Sequence, residues 1–193
     1  MNAPAKTINH IENYKSYATP NLLLNSIKCK TYEEVITSSH LTIGELSNRG
    51  TQWELYVLAY ISAGIVNFLE FVSRKNTMTE NQIADTAMLI LEEYPKLKVD
   101  DIALFFRKCK MSHFGKLYDL NGMVLMDWLS GYIAERNAVG LSLSRKREEE
   151  RRREEEWNAL TEEERRREED KISGIINRLT EKYKAYDRCL SIK

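Results

Sequence analysis

Apolar residues recur every three or four positions through most of the first 140 residues, which is the spacing of amphipathic helices. No stretch of useful length alternates apolar and polar residues as a half-buried strand requires. The chain is therefore predicted to be all-α. The predicted helices cover about 31–39, 42–48, 51–75, 79–94 and 100–110, and a further helix follows a loop over 111–122.

Local signals place several helix starts. Thr31 with Glu34, and Thr42 with Glu45, have the spacing of a capping box, in which a hydroxyl and a carboxylate bond the first amides of a helix. The segment 55–69 carries no charge, but its 15 residues are fewer than the roughly 20 that span a membrane. We interpret it as part of a buried core helix and expect no membrane association.

Composition divides the 193 residues into three parts. Residues 1–30 are predicted to be a partly flexible N-terminal arm, 31–140 a compact helical domain, and 141–193 a charged helical extension. The extension holds 15 basic and 14 acidic residues of the 29 of each in the whole chain. With a formal net charge of zero, only local clusters could attract nucleic acid.

The extension alternates bands of three like charges, for example Glu148–Glu150 followed by Arg151–Arg153. Opposite charges then lie three and four positions apart, where each pair stabilises a helix by about 0.2–0.5 kcal/mol. Trp157 and Leu160 interrupt the bands, and Thr161 with Glu164 forms another capping box. The pattern predicts a long charged helix that is kinked or folded back near residues 157–161.

A short apolar stripe follows the bands, with the 4-3-4-3-4 spacing of a coiled-coil seam. Two interpretations are open, since such a stripe could pack on its own domain or mediate self-association. The residues predicted for oligomerisation are Ile172, Ile176, Leu179, Tyr183, Tyr186 and Leu190.

A basic, aromatic segment near residue 110 contains no acidic residue. Basic side chains pair with phosphates, and exposed aromatic rings stack on unpaired bases. The alternative is an ordinary helix end, where lysines complement the helix dipole and Phe105 and Phe106 belong to the core. The candidate nucleic-acid-binding residues are Arg107, Lys108, Lys110, His113, Phe114, Lys116 and Tyr118.

Catalytic and metal-binding patterns are absent from the sequence. Cys29, Cys109 and Cys189 are widely separated and odd in number, which favours a reducing, cytoplasmic compartment. No His or Cys pair has metal-ligand spacing, and no phosphate-binding glycine loop occurs. We predict no enzymatic activity, no cofactor and no metal.

Several short pieces between about residue 51 and residue 136 form a recognisable set. They are Gln82–Ala87 with Tyr94, Asp101–Phe106, Phe114–Tyr118 with Gly122, Trp128-Leu129 with Tyr132, and Glu135-Arg136. With these pieces the stretch resembles an uncharacterised helical family of Bacteroidota phages, prophages and mobile elements. The resemblance implies a mobile-element setting, in which DNA replication and maintenance are common tasks, but no established activity.

Two functions follow as hypotheses. The first is a non-catalytic DNA-associated accessory protein, related to replication or helicase loading, with DNA and a replication protein as partners. The second is a structural or assembly protein that binds only proteins through its helical tail. Loss of DNA affinity on neutralising the basic segment would favour the first, and loss of self-association on removing residues 171–193 would favour the second.

Overall fold

The computed structural model describes residues 19–72, 78–115 and 120–190, with side chains described as far as residue 184. These residues are helical and contain no named strand, only an isolated bridge between Thr42 and Lys98, so the all-α prediction is confirmed. The helices are α1 (Pro20–Ser26), α2 (Tyr32–Thr37), α3 (Ile43–Ser47), α4 (Thr51–Val72), α5 (Glu80–Glu93), α6 (Val99–Lys110), α7 (Gly122–Ala159) and α8 (Glu162–Leu190).

The chain forms two compact units, a first unit Met1–Ser142 and a second unit Leu143–Lys193. The first unit therefore ends two residues after residue 140, where composition predicts the end of the helical domain. The start of the first unit differs more, because α1 lies inside the segment 1–30 that was predicted to be an arm. Leu23 of α1 is 2% exposed and α1 packs on α4, so this helix belongs to the compact unit.

The helix starts follow the predicted caps. At α3 the capping box is complete, since Thr42 accepts from the Glu45 amide and Glu45 accepts from the Thr42 amide. At α2 only half of it forms: Thr31 accepts from the Glu34 amide, whereas Glu34 accepts from the Lys30 amide instead. Caps form between neighbours in the chain, which is why sequence alone locates them.

Helix α4 is central in the first unit, where it packs against α1, α3, α5 and α6. Its buried face includes Tyr60, Ile61, Ile65 and Phe68. By length and composition α4 could also cross a membrane, with a mean hydropathy of 1.7, but core helices of soluble proteins pass the same test. The beginning of α7 adds Trp128, whose ring lies 6.2 Å from that of Phe68.

The charged bands continue α7 without interruption as far as Ala159, where the helix ends. Leu160 forms a bend, and Thr161 then caps α8 by accepting from the Glu164 amide. Arg165 donates to the carbonyl oxygens of Trp157 and Asn158, at 3.2 and 2.9 Å, and so satisfies two acceptors at the end of α7. The predicted break at residues 157–161 is confirmed.

Candidate functional site

Those residues predicted to bind nucleic acid that the structure describes do not form one surface. Arg107, Lys108 and Lys110 lie in the last turn of α6, as predicted, and His113 and Phe114 lie in the turn that follows. Consecutive helical residues point about 100° apart, so Lys108 projects to a different side from the pair formed by Arg107 and Lys110. Lys116 and Tyr118 lie outside the described residues.

On one side of α6, the carboxylate of Glu135 in α7 lies close to the basic side chains of Lys108 and His113. Its carboxylate lies 2.9 Å from His113 Nε2 and 3.9 Å from Lys108 Nζ, and it accepts a 2.7 Å hydrogen bond from the Tyr32 hydroxyl. Lys108 also lies over the Tyr32 ring, 4.3 Å from its centroid. Burial acts to raise the pKa of Glu135, but the hydrogen bonds from Tyr32 and His113 outweigh it and lower that pKa. Lys108 and His113 are therefore matched to an ionised acid within the fold.

Phe114 lies on the same side and packs into a ring cluster. Its ring centroid is 5.8 Å from that of Phe105 and 6.4 Å from that of Tyr132, and the side chain is half-buried. Phe105 is fully buried and Phe106 is 3% exposed, as the core interpretation of these two residues predicts. The Phe114 ring, which the sequence predicts to stack on nucleic-acid bases, thus packs against other aromatic rings of the protein.

On the other side of α6, basic and aromatic side chains line a groove of about 410 Å³ between α1, α4 and α6. Lys110 Nζ donates to the Asn67 side chain and lies 5.4 Å from the centroid of the Phe71 ring. Phe71 is 59% exposed, and no hydrogen bond or ion pair among the described residues involves the side chain of Arg107. We call this the basic groove, and it is lined by Asn25, Asn67, Phe71, Arg107, Lys110 and Met111.

Two buried acids at the start of α6 are the polar feature that sequence reasoning missed. Asp100 and Asp101 have no exposed surface, although their positions predict only a complement to the helix dipole. Asp100 accepts from Ser38 at 2.8 Å, from His40 Nδ1 at 2.7 Å and from the Cys29 thiol at 3.4 Å. The only sequence signal for this buried site is a pair of adjacent acidic residues at the start of an apolar helix. That signal does not show which distant residues will bond to them.

The arrangement around Asp100 stabilises its charge. Burial alone would raise the pKa of Asp100, but the hydrogen bonds from His40 and Ser38 outweigh it and lower that pKa. The same hydrogen bond raises the pKa of His40. Burial, followed by the charge of Asp100, raises the pKa of Cys29 to about 11, so this thiol is protonated near neutral pH and is a poor nucleophile. We interpret the cluster as structural.

Asp101 joins α6 to α7. Its Oδ1 accepts from the Tyr132 hydroxyl at 2.8 Å and from Arg136 Nε at 2.7 Å, and its Oδ2 accepts from the Lys98 amide at 2.8 Å. No group of three or more His, Cys, Asp or Glu side chains is placed to hold a metal ion in the part of the chain that the structure describes.

The second unit presents an exposed apolar stripe on α8. Ile172, Ile176, Leu179 and Tyr183, all predicted for oligomerisation, are 51–73% exposed, and Ile175 beside them is 51% exposed. The side chains of Tyr186 and Leu190 lie outside the described residues. The α8 stripe is thus the set Ile172, Ile175, Ile176, Leu179 and Tyr183.

Part of the chain matches a known protein family. Residues 77–171 match a family of unknown function (DUF6633), a range that runs from just before α5 into the first turns of α8. The match begins later than the stretch from residue 51 that carries the resemblance, and it extends beyond residue 136 through the charged bands. It agrees with the resemblance in pointing to an uncharacterised family. No curated protein and no solved structure matches the chain.

Proposed function

We propose that this protein is a non-catalytic assembly protein that associates with a second copy of itself through the α8 stripe. The observation that supports the proposal is the exposure of five large apolar side chains on one part of a charged helix. Contiguous apolar patches of this kind are uncommon on monomeric proteins and mark interaction surfaces.

The energetics favour a self-association that is modest and reversible. Each Ile or Leu that goes from half-exposed to buried contributes about 1 kcal/mol, half the value for burying the whole side chain. The four Ile and Leu residues of the stripe on each of two copies give roughly 8 kcal/mol, and Tyr183 adds to this, before the cost of association, which is of similar size. The dimer should therefore be weak, with a Kd no lower than about tens of micromolar, and small changes to the stripe should break it.

The test is sedimentation velocity of the full chain over a concentration series. Ile176→Asp places a charge in the middle of the stripe and should abolish the concentration-dependent species that depends on it. The matched control is Asn177→Asp, which adds the same charge to an exposed position away from the stripe and should leave association unchanged. Equal loss in both variants, or no effect of Ile176→Asp, would refute the proposal.

A second candidate function is nucleic-acid contact at the basic groove. The observation that favours it is the exposed Phe71 ring close to Lys110, with Arg107 on the same side of α6. Aromatic stacking contributes about 1–3 kcal/mol per base, and two cations supply two phosphate contacts. From the resemblance to a phage and mobile-element family, we propose replication or helicase loading as the setting for this contact.

Fluorescence anisotropy with labelled single-stranded and double-stranded DNA across a salt series tests this second function. The double variant Arg107→Gln, Lys110→Gln should weaken binding and reduce the salt slope by about 2, one for each lost phosphate contact. Lys108→Gln is the control, because Lys108 faces Glu135 on the other side of α6. An equal effect of Lys108→Gln, or no binding near physiological salt, would exclude the groove.

The compartment is part of the proposal. Cys29 and Cys109 are both free thiols, which suits a reducing cytoplasm. We retain the predictions of no cofactor and no membrane association as parts of the same proposal.

A further inference from the structure

Six residues along the charged part of α7 and the bend directly after it have a spacing that is the same from either end. They are separated by 3, 4, 3, 4 and 3 positions, the heptad spacing of a coiled coil. Leucines stand at both ends, and a tryptophan and three charged residues lie between them. We call these residues the α7 seam, and they are Leu143, Lys146, Glu150, Arg153 and Trp157 of α7 together with Leu160 of the bend.

We propose that the α7 seam pairs in antiparallel orientation with the α7 seam of a second copy of this chain. The symmetric spacing puts Leu143 opposite Leu160 of the second copy, and Lys146 opposite its Trp157. Glu150 lies opposite Arg153 of the second copy. The two-fold axis repeats each of these layers once. The layers are then an apolar pair, a cation over an aromatic ring and an ion pair, all favourable.

The ion pairs within α7 support this assignment. Glu148, Arg151, Arg152, Glu155 and Glu156 pair with one another along the helix, and none of them is a residue of the α7 seam. Among the described residues, no hydrogen bond or ion pair involves the side chains of the three charged seam residues, Lys146, Glu150 and Arg153. The three seam charges are thus among those that α7 leaves without an internal partner, and a second copy would match them.

The remaining seam residues suit the ends of such an interface. Trp157 is 36% exposed, and Leu143 and Leu160 are half-buried, so all three have surface left to cover. They lie outside the central charges, where they would shield the ion pairs from water and so strengthen them.

Charge decides the orientation. In a parallel, in-register pair, each charged seam residue would face its own copy, which places like charges opposite each other in three layers. Beside the antiparallel seam, Arg147 would face Glu154 of the second copy, which is favourable, whereas Glu149 would face Glu156, which is not. The favourable and the unfavourable charge pair beside the seam offset each other. The charged seam residues therefore determine that the antiparallel orientation is preferred over the parallel one.

This pairing is independent of the α8 stripe and goes beyond the proposed function. Two different self-complementary surfaces on one chain would give dimers through one surface and larger assemblies when both act. The experiment is therefore done in the Ile176→Asp background, so that failure of either proposal can be recognised separately.

Sedimentation velocity of four full-length variants in that background tests the α7 seam. Glu150→Arg and Arg153→Glu each replace both central ion pairs with like charges and should raise the dimer Kd about tenfold or more. The double variant Glu150→Arg, Arg153→Glu restores opposite charges only in an antiparallel pair, so it should recover the original Kd. Glu155→Arg makes the same charge change on the opposite face and should have little effect.

Mixing and helix content complete the test. An equimolar mixture of the two single variants brings opposite charges together in both central layers, so it should dimerise although each variant alone does not. Circular dichroism checks that the helix is retained in every variant. The proposal is overturned if the double variant stays as weak as the single variants while remaining helical. It is also overturned if the background protein is monomeric throughout the concentration series.

Discussion

Replacing Asp101 with alanine should lower the free energy of unfolding of the first unit by about 4 kcal/mol. This residue is fully buried, and three donors converge on it, two from α7 and one from the N-cap of its own helix. Alanine removes the acceptor and leaves the donors in place. The cost then depends on which of those donors can reach water.

The magnitude follows from the three partners. Loss of the cap at the Lys98 amide costs about 1 kcal/mol. The Tyr132 hydroxyl has no exposed surface around it and would be left unpaired, which costs about 2 kcal/mol. Arg136 is 20% exposed and can turn partly to solvent, so its share is about 1 kcal/mol rather than the full cost of an orphaned buried charge. Asp101→Asn, which keeps an acceptor, should cost about half as much.

Urea unfolding followed by tryptophan fluorescence measures this difference. Trp157→Phe serves as the background, because the remaining Trp53 and Trp128 both lie in the first unit. Tyr132→Phe should cost about 1.5–2 kcal/mol in the presence of Asp101, whereas in the Asp101→Ala variant it should recover up to about 2 kcal/mol, because it removes the hydroxyl that this variant leaves unpaired. A loss below about 1 kcal/mol for Asp101→Ala, with an unchanged m value, would refute the reasoning.

Two further predictions concern the first unit and the tail. The hydrogen bond to Asp100 raises the pKa of His40 above its ordinary value of 6.5, so His40 stabilises the fold fully below about pH 6.5 and loses that contribution as pH rises through the raised pKa. Denaturation between pH 5 and 9 should show a deficit for His40→Gln that shrinks toward high pH, and a constant deficit would contradict this. Gly64→Ala puts a methyl group into the Phe106 ring and should cost about 2 kcal/mol. Gly174→Ala meets open space and should stabilise α8 by about 0.5–1 kcal/mol, measured as helix content, whereas equal effects at both glycines would be inconsistent with the packing.

The sequence predicts the helices well because helix formation depends on neighbours in the chain. Capping boxes join residues three positions apart, and the charge bands pair residues three or four positions apart. The break at residues 157–161 belongs to the same class, since Thr161 and Glu164 signal it locally. The apolar stripe of α8 can also be predicted from the spacing of its residues. The spacing does not identify the surface against which the stripe packs.

The candidate site could be predicted only in part. Sequence locates the basic residues at the end of α6, but Glu135 lies 27 positions from Lys108 and 22 from His113. Until α7 packs beside α6, nothing indicates that this acid neutralises one side of the segment. The basic groove likewise depends on Phe71, which comes from α4 and is not part of the predicted segment.

What the sequence by itself determines is therefore the set of helices, their ends and the charge along each. What only the tertiary structure decides is which polar groups are buried together. Asp100 and Asp101 look like ordinary residues for a helix start, yet Asp100 meets His40 across 60 positions and Asp101 meets Tyr132 across 31. The physical reason is that burial and pairing arise from contacts between helices. Short-range periodicity specifies which face of a helix is apolar, but not which other helix will cover it.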